Sequence, residues 1–163
     1  MDINHLHLPR WEELPDFPLY IDQVVSYIEA KLSILSFNNE KVITSSMINN
    51  YVKNGIVDPP VKKKYERIHL AYFIVVCILK KSYSLDEISQ LIQIQIKDFP
   101  TDQSYNYFCD EIEACVESIL NKKEVIHIPS LSQNKEIVYL LQSTVLSVTH
   151  KIYIQYYLSQ NKE

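Results

Sequence analysis

Short hydrogen-bonding side chains recur at helical spacing near residue 50. Residues three and four apart share one face of a helix, and the polar ones here are Ser46, Asn49, Asn50 and Lys53. An asparagine amide can pair with N6 and N7 of adenine together, so such a face suits the DNA major groove. The alternative is an ordinary amphipathic helix with a polar outer face. The predicted contacts to base edges are Ser45, Ser46, Asn49, Asn50 and Lys53.

Positive charge is concentrated around the same segment. Residues 41–81 hold eight Lys or Arg and two Asp or Glu, although the whole chain has a net charge of −4. Such a block attracts a polyanion locally, and basic side chains bind phosphates without reading sequence. A solvated basic face is the alternative. The predicted phosphate contacts are Thr44, Lys62, Lys63, Lys64, Tyr65 and Arg67.

The glycine content excludes several kinds of catalytic site. Gly55 is the single glycine of the chain, whereas phosphate loops, dinucleotide fingerprints and nucleophile elbows each need several. No pairing of a nucleophile with a base emerges from the sequence either. We therefore expect neither an enzyme nor a cofactor.

Cysteine, histidine and carboxylate residues do not form a recognisable metal motif. The cysteines lack zinc-site spacing and are predicted to be buried, unreactive thiols: Cys77, Cys109 and Cys115. His5 and His7 offer two ligands on a terminal arm, where a metal is not expected. A solvated acidic helix face is predicted from Asp110, Glu111, Glu113 and Glu117. No metal site is predicted.

The chain has 163 residues, and the positions of its prolines and helix-capping residues predict a mainly helical protein. Residues 1–18 are predicted to form an arm anchored by Trp11. Thr44 is a predicted N-cap and Gly55 a left-handed helix end, while Ser84 and Glu87 form a predicted capping box. The predicted helices span 18–35, 45–54, 66–81, 84 to about 99, 103–122 and 132–158. The third of these could also be a buried strand by periodicity, but its length and basic ending favour a helix.

The C-terminal helices carry a regular apolar seam and many tyrosines. Spacings of three and four along the last helix predict a dimer interface made by Val138, Leu141, Val145, Val148 and Ile152. The tyrosines suit core packing, an oligomer interface or a ligand pocket. Residues 100–163 are therefore predicted to serve dimerisation, binding of an unknown small-molecule effector, or both.

Two groups of motifs resemble known bacterial families. Three motifs resemble the MerR-type winged helix. They are the run 44–57, in which a helix with Tyr51 is followed by Gly55 and two apolar residues, the Lys64-Tyr65 pair, and the Ser-Leu-x-Glu-Ile stretch at 84–88. A second group of motifs resembles the YkrK-like family of unknown function, DUF1836, which is regarded as MerR-like. These motifs are the start of the first predicted helix at 19–24 and the runs 47–51 and 59–65. The resemblance implies a winged helix-turn-helix over residues 19–99, followed by a helical C-terminal region.

The sequence as a whole predicts a transcriptional regulator that binds a palindromic site on double-stranded DNA as a homodimer. A protein-interaction module that keeps the scaffold without binding DNA is the second hypothesis. The longest apolar run, residues 70–79, is too short to span a membrane, and the start lacks the features of a signal peptide. We therefore expect a cytoplasmic protein with no membrane association.

Overall fold

The computed structural model of the protein describes residues 3–161. Within this range there are two strands, β1 (Leu19–Tyr20) and β2 (Lys64–Tyr65). Most of the remaining chain is helical, which confirms the predicted mainly α fold. The helices are α1 (Ile21–Leu32), α2 (Ser45–Lys53), α3 (Arg67–Leu79), α4 (Leu85–Asp98), α5 (Thr101–Leu120) and α6 (Lys135–Gln160).

The first helix is shorter than the predicted span of 18–35. Leu19 and Tyr20 are extended instead, and they pair antiparallel with Tyr65 and Lys64. The α-helix therefore begins only at Ile21 and passes into a 3-10 turn at Ser33–Leu35. The pairing joins the start of α1 to Lys64 and Tyr65, which lie 44 to 46 residues later in the chain.

Helix α3 forms the centre of the fold. Nearly every residue after His69 is apolar, and this all-round hydrophobicity is typical of a helix that is buried on every side. Helix α3 contacts α1, β2, α4 and α5. The prediction of a helix here, rather than a buried strand, is confirmed.

Local capping signals set the start of α4. The backbone N–H of Glu87 donates to the Ser84 hydroxyl at 3.2 Å, and the N–H of Ser84 donates to a Glu87 carboxylate oxygen at 2.7 Å. The predicted capping box is thus present. It satisfies two of the four N–H groups that the start of a helix leaves without partners.

Helices α5 and α6 pack together and are joined by residues 121–134, which we call the connector. The seam of α6 covers the same chain: Leu141, Val145, Val148 and Ile152 are buried in the described monomer, and Val138 is half-buried. This placement corrects the predicted dimer interface. A seam with heptad spacing fits any facing helix, and α5 already occupies it.

Residues 3–18, the described part of the predicted arm, lie along α5. Leu8 and Leu14 are buried, so the attachment is broader than the predicted anchor Trp11, which is itself partly exposed. The Leu8 N–H donates to Glu113 at 2.6 Å, and the Tyr105 hydroxyl donates to the Pro9 carbonyl at 2.7 Å. His5 and His7 belong to this arm, and His7 pairs with Glu13.

One continuous hydrophobic core runs from the arm to α6. It crosses both predicted domain boundaries, at 18/19 and at 99/100. The three segments therefore share a core in the described chain, and their division into functional units stays a prediction.

Candidate nucleic-acid interface

Helix α2 separates its two faces as predicted. Ile48 and Tyr51 are fully buried, and Met47 and Val52 pack against the same core. The five side chains of the predicted base-reading face are all exposed to solvent: Ser45, Ser46, Asn49, Asn50 and Lys53. This arrangement presents short hydrogen-bonding groups outward on a helix whose inner face is fixed.

The two asparagines of that face differ in their partners. Asn54 Nδ2 donates to the Asn50 side-chain oxygen at 2.9 Å and to the Asn50 carbonyl at 2.8 Å. Among residues 3–161, the Asn49 amide has no hydrogen-bond partner, so both its oxygen and its NH₂ group face solvent. Asn49 therefore offers a complete donor–acceptor pair, whereas the oxygen of Asn50 is already engaged.

Both ends of α2 are closed by local contacts. The Thr44 hydroxyl accepts from the Met47 N–H at 3.2 Å, as expected for an N-cap. At the other end Gly55 has φ +71°, and the N–H groups of Gly55 and Ile56 donate to the carbonyls of Val52 and Tyr51. This is a Schellman cap, and its left-handed position suits the chain's one glycine. Thr44 was also predicted to contact phosphate, but its oxygen here accepts from the backbone.

The segment Val61–Lys64, which we call the lysine turn, reverses the chain tightly. Val61 and Lys64 exchange both backbone hydrogen bonds at 3.0 Å, and Lys62 and Lys63 between them have φ of 50° and 63°. Two consecutive positive φ values are typical of a type I′ hairpin turn, which favours Asn-Gly. Lysines at these positions are strained, and both side chains are exposed.

Three of the predicted phosphate contacts are engaged inside the fold. Lys64 is half-buried, with its ammonium 5.0 Å from the centre of the Tyr20 ring. Tyr65 is only 3% exposed and packs edge-on against His69, so its predicted phosphate contact is corrected to a core position. Burial raises the pKa of its hydroxyl. Arg67 is half-buried over the Trp11 ring at 6.0 Å.

A row of aromatic rings connects α2 with the lysine turn. Tyr51 of α2 lies 6.5 Å from Phe73 of α3, and Phe73 lies 5.6 Å from Tyr65 of β2, measured between ring centres. The Lys80 ammonium donates to the Tyr51 hydroxyl at 3.3 Å. Burial raises the pKa of Tyr51. The exposed asparagines and lysines are thus attached to one packed framework.

The basic segment 41–81 is not uniformly available to an external anion. Lys81 donates to the Leu35 carbonyl at 2.8 Å, and burial lowers the pKa of its ammonium. Lys41, Lys53, Lys62 and Lys63 are exposed. The positive charge that remains free is therefore found mainly on α2 and the lysine turn.

The acidic face predicted on α5 is wrong at Glu111, whereas Asp110 and Glu113 are partly exposed and Glu117 is exposed. Glu111 is completely buried, and Asp110 and Glu113 bind Arg10 of the arm. The sequence does contain one signal for the burial of Glu111: it lies one helical turn before Cys115, which was predicted to be buried, and therefore on the same face of α5. The predicted burial of Cys77, Cys109 and Cys115 is confirmed.

The elements described above define a small, mainly helical protein in which an exposed polar helix and a strained basic turn are attached to the same row of aromatic rings. The family described as Domain of unknown function (DUF1836) matches residues 9–108, and the chain belongs to this family. No curated protein and no solved structure matches the chain. Between residues 3 and 161, no helix combines the length and the apolar character needed to cross a membrane.

Proposed function

We propose that this protein is a sequence-specific DNA-binding transcriptional regulator with a winged helix-turn-helix, in which α2 enters the major groove. The observation that carries the proposal is the outward polar face of α2, with its unpaired Asn49 amide, on a helix whose inner face is fully packed. An asparagine whose side-chain oxygen and NH₂ group are both free can make the bidentate pair with adenine.

The lysine turn supports the proposal by its backbone geometry. Two lysines occupy positions that asparagine and glycine would fill at lower cost. Strain of this kind is concentrated at functional sites, because a fold tolerates it where the side chain is needed. Lys62 and Lys63 would bind the phosphates that flank the reading helix.

The order of the elements also supports a MerR-like arrangement. Within residues 19–99, strand β1 is followed by two α-helices, a tight turn into β2, which pairs back with β1, and two further helices. This is the order that the resemblance of the motifs implies for a winged helix. The scaffold alone does not decide function, so the argument depends on the exposed side chains.

We propose that two copies associate through the exposed side of α6, because the buried seam is occupied by α5. Ile154, Tyr157 and Leu158 are large, exposed and spaced as one helical face. A twofold dimer would present two copies of α2 to successive major grooves of a palindromic site. I154E/L158E should give a monomer in light scattering, whereas a dimer of unchanged size would contradict this contact.

The decisive experiment is selection of genomic fragments by the purified protein, followed by affinity measurements at several salt concentrations. If about six phosphates are neutralised per dimer, the logarithm of affinity should fall with that of salt at a slope near −5. K62E/K63E should abolish binding to any sequence. The matched control is K122E/K123E, which makes the same charge change at exposed lysines of the connector.

Substitution of the two asparagines separates base reading from phosphate binding. Asn49→Ala should lose about 1–3 kcal/mol on the selected site and little on random DNA. Asn50→Ala should lose less, because Asn54 already engages its oxygen. Absence of salt-sensitive DNA binding, together with a stable protein partner, would support the interaction-module hypothesis instead.

A further inference from the structure

A second group of polar side chains lies away from α2, where the connector crosses α5. Glu111 and Cys115 are one turn apart on α5, and His127 approaches them from the connector. One ligand atom from each residue lies within 4.8 Å of the other two. A carboxylate oxygen, a thiol sulfur and an imidazole nitrogen therefore point to one position.

The burial of the group is uneven. Glu111 and Cys115 are both 0% exposed, whereas the His127 side chain is 29% exposed. One Glu111 oxygen contacts His127 Nδ1 directly, and it lies 3.9 Å from the Cys115 sulfur. The other oxygen accepts from the Ile128 N–H at 2.8 Å. The three ligand types are thus enclosed on the α5 side and reachable from solvent on the His127 side.

The chemistry of these three groups fits a borderline-soft divalent cation. Zn²⁺ binds sulfur, nitrogen and oxygen, and a site with three protein ligands leaves a fourth position for water. Its bond lengths place tetrahedral ligand atoms roughly 3.3–3.8 Å apart, so modest side-chain rotations would bring the three atoms into range. A carboxylate, a thiolate and a divalent cation together carry no net charge, which suits a buried location.

We propose that Glu111, Cys115 and His127 form a binding site for a divalent transition metal, with Zn²⁺ the best match. The cation would fasten the connector to α5, and the Ile128 N–H would orient the Glu111 carboxylate from outside the ligand set. The inference is independent of whether the protein binds DNA.

Metal binding here has an opposing cost. Burial, with Glu111 beside it, raises the pKa of the Cys115 thiol to about 12. A coordinated thiol is deprotonated by the charge of the metal, and its proton passes to solvent on binding. The hydrogen bond between Glu111 and His127 must also open, so that Nδ1 can ligate while Nε2 carries the remaining ring proton.

The test is titration of the reduced full-length protein with Co²⁺, followed by displacement with Zn²⁺. One equivalent of Co²⁺ should produce visible bands of a tetrahedral site and a thiolate-to-cobalt charge-transfer band in the near ultraviolet. Cys115→Ser should remove the charge-transfer band, whereas the matched controls Cys109→Ser and Cys77→Ser should keep it. A silent titration, or equal spectra for the three serine variants, would overturn the proposal.

A second variant guards against loss of the fold. His127→Gln changes the half-exposed ligand and leaves the two buried groups in place, so it should remain folded by circular dichroism. It should bind Zn²⁺ about tenfold more weakly than the unchanged protein, or weaker still. Loss of a group that only hydrogen-bonds to a metal ligand already costs about tenfold or more, and loss of a ligand should cost no less. Unaltered Zn²⁺ affinity in this folded variant would contradict a metal site at His127. The role of His127 would then be limited to its hydrogen bond with Glu111, which joins the connector to α5.

Discussion

The α2 region and the α5 region treat polar side chains in opposite ways. On α2 and the lysine turn, Asn49, Lys62 and Lys63 are exposed, and the structure shows no hydrogen bond or ion pair for their side chains within residues 3–161. On α5, Glu111 and Glu113 are held by partners from the connector and the arm. The first region therefore leaves these polar groups exposed to solvent, and the second uses its polar groups to hold segments of the chain together.

This contrast predicts that substitutions in the two regions will affect different quantities. Arg10→Ala should lower the free energy of unfolding by about 2 kcal/mol, between the values for exposed and for buried ion pairs. Arg10 donates twice to Glu113, at 2.8 and 2.7 Å, and once to Asp110 at 2.9 Å, so its removal leaves two carboxylates without their cation. Urea denaturation measures the loss.

DNA affinity should stay unchanged in Arg10→Ala, measured at a temperature where the variant is folded. Asn49→Ala provides the opposite case, with lost affinity and a free energy of unfolding within about 0.5 kcal/mol of the original. If Arg10→Ala lost affinity as strongly as Asn49→Ala did, the two regions would not be separable in this way.

A smaller effect is expected at the lysine turn. K62N/K63G should raise the free energy of unfolding by about 1–2 kcal/mol, because asparagine and glycine accept the positive φ that strains the lysines. Thermal unfolding measures this gain. K62Q/K63Q is the control, since it removes the same charge and keeps the strain.

Both turn variants should lose DNA affinity to a similar extent. The comparison thereby distinguishes a turn that sacrifices stability for binding from a turn whose lysines have no role. If K62N/K63G gained no stability, the strain argument would fail, whatever the outcome of the binding assay.

The smallest effect concerns acid and the arm. Burial raises the pKa of Glu113, but the hydrogen bonds from Arg10 and from the Leu8 N–H outweigh it, and the net pKa is lowered from about 4.5. When the pKa of a carboxyl group is lower in the folded than in the unfolded protein, the group stabilises the fold at pH values above the unfolded pKa. This stabilisation is lost as the pH falls through the folded pKa. Attachment of the arm should therefore weaken below about pH 4.5.

The emission of Trp11 can follow this change, because it is the only tryptophan and it packs on Tyr105 at 6.5 Å. Titration from pH 7 to pH 3 should shift its emission before global unfolding is seen by circular dichroism. Glu113→Gln should show part of the shift already at pH 7. A shift that coincides with global unfolding in both proteins would contradict a separate role for Glu113.

The features that sequence predicted correctly are those encoded by a few adjacent residues. Thr44, Gly55 and the Ser84–Glu87 pair each act within one helical turn, so the identity of a few adjacent residues is enough to determine the caps. The exposed face of α2 followed from the same kind of local spacing. Helix α3 was predicted as a helix from its length and its basic ending, because its apolar character alone would also fit a buried strand.

The features that sequence did not predict depend on which distant segment fills a surface. The spacing of Val145 and Val148 shows that α6 needs an apolar partner, but it does not say whether α5 or a second chain supplies it. Tyr65 is in the core because β1 and α3 surround it, and Glu111 is buried because the connector covers it. Charge and periodicity contain no information about these long-range contacts.

The central position of α3 has a consequence for dissecting the protein. Ala71, Tyr72 and Val75 line a cavity together with Tyr105 and Phe108 of α5. A fragment that stops at residue 99 would leave this side of α3 bare, and its apolar surface would promote aggregation. In a test of the proposed DNA binding by deletion, poor solubility of the fragment would be mistaken for lost function. Point substitutions in the intact chain avoid this problem.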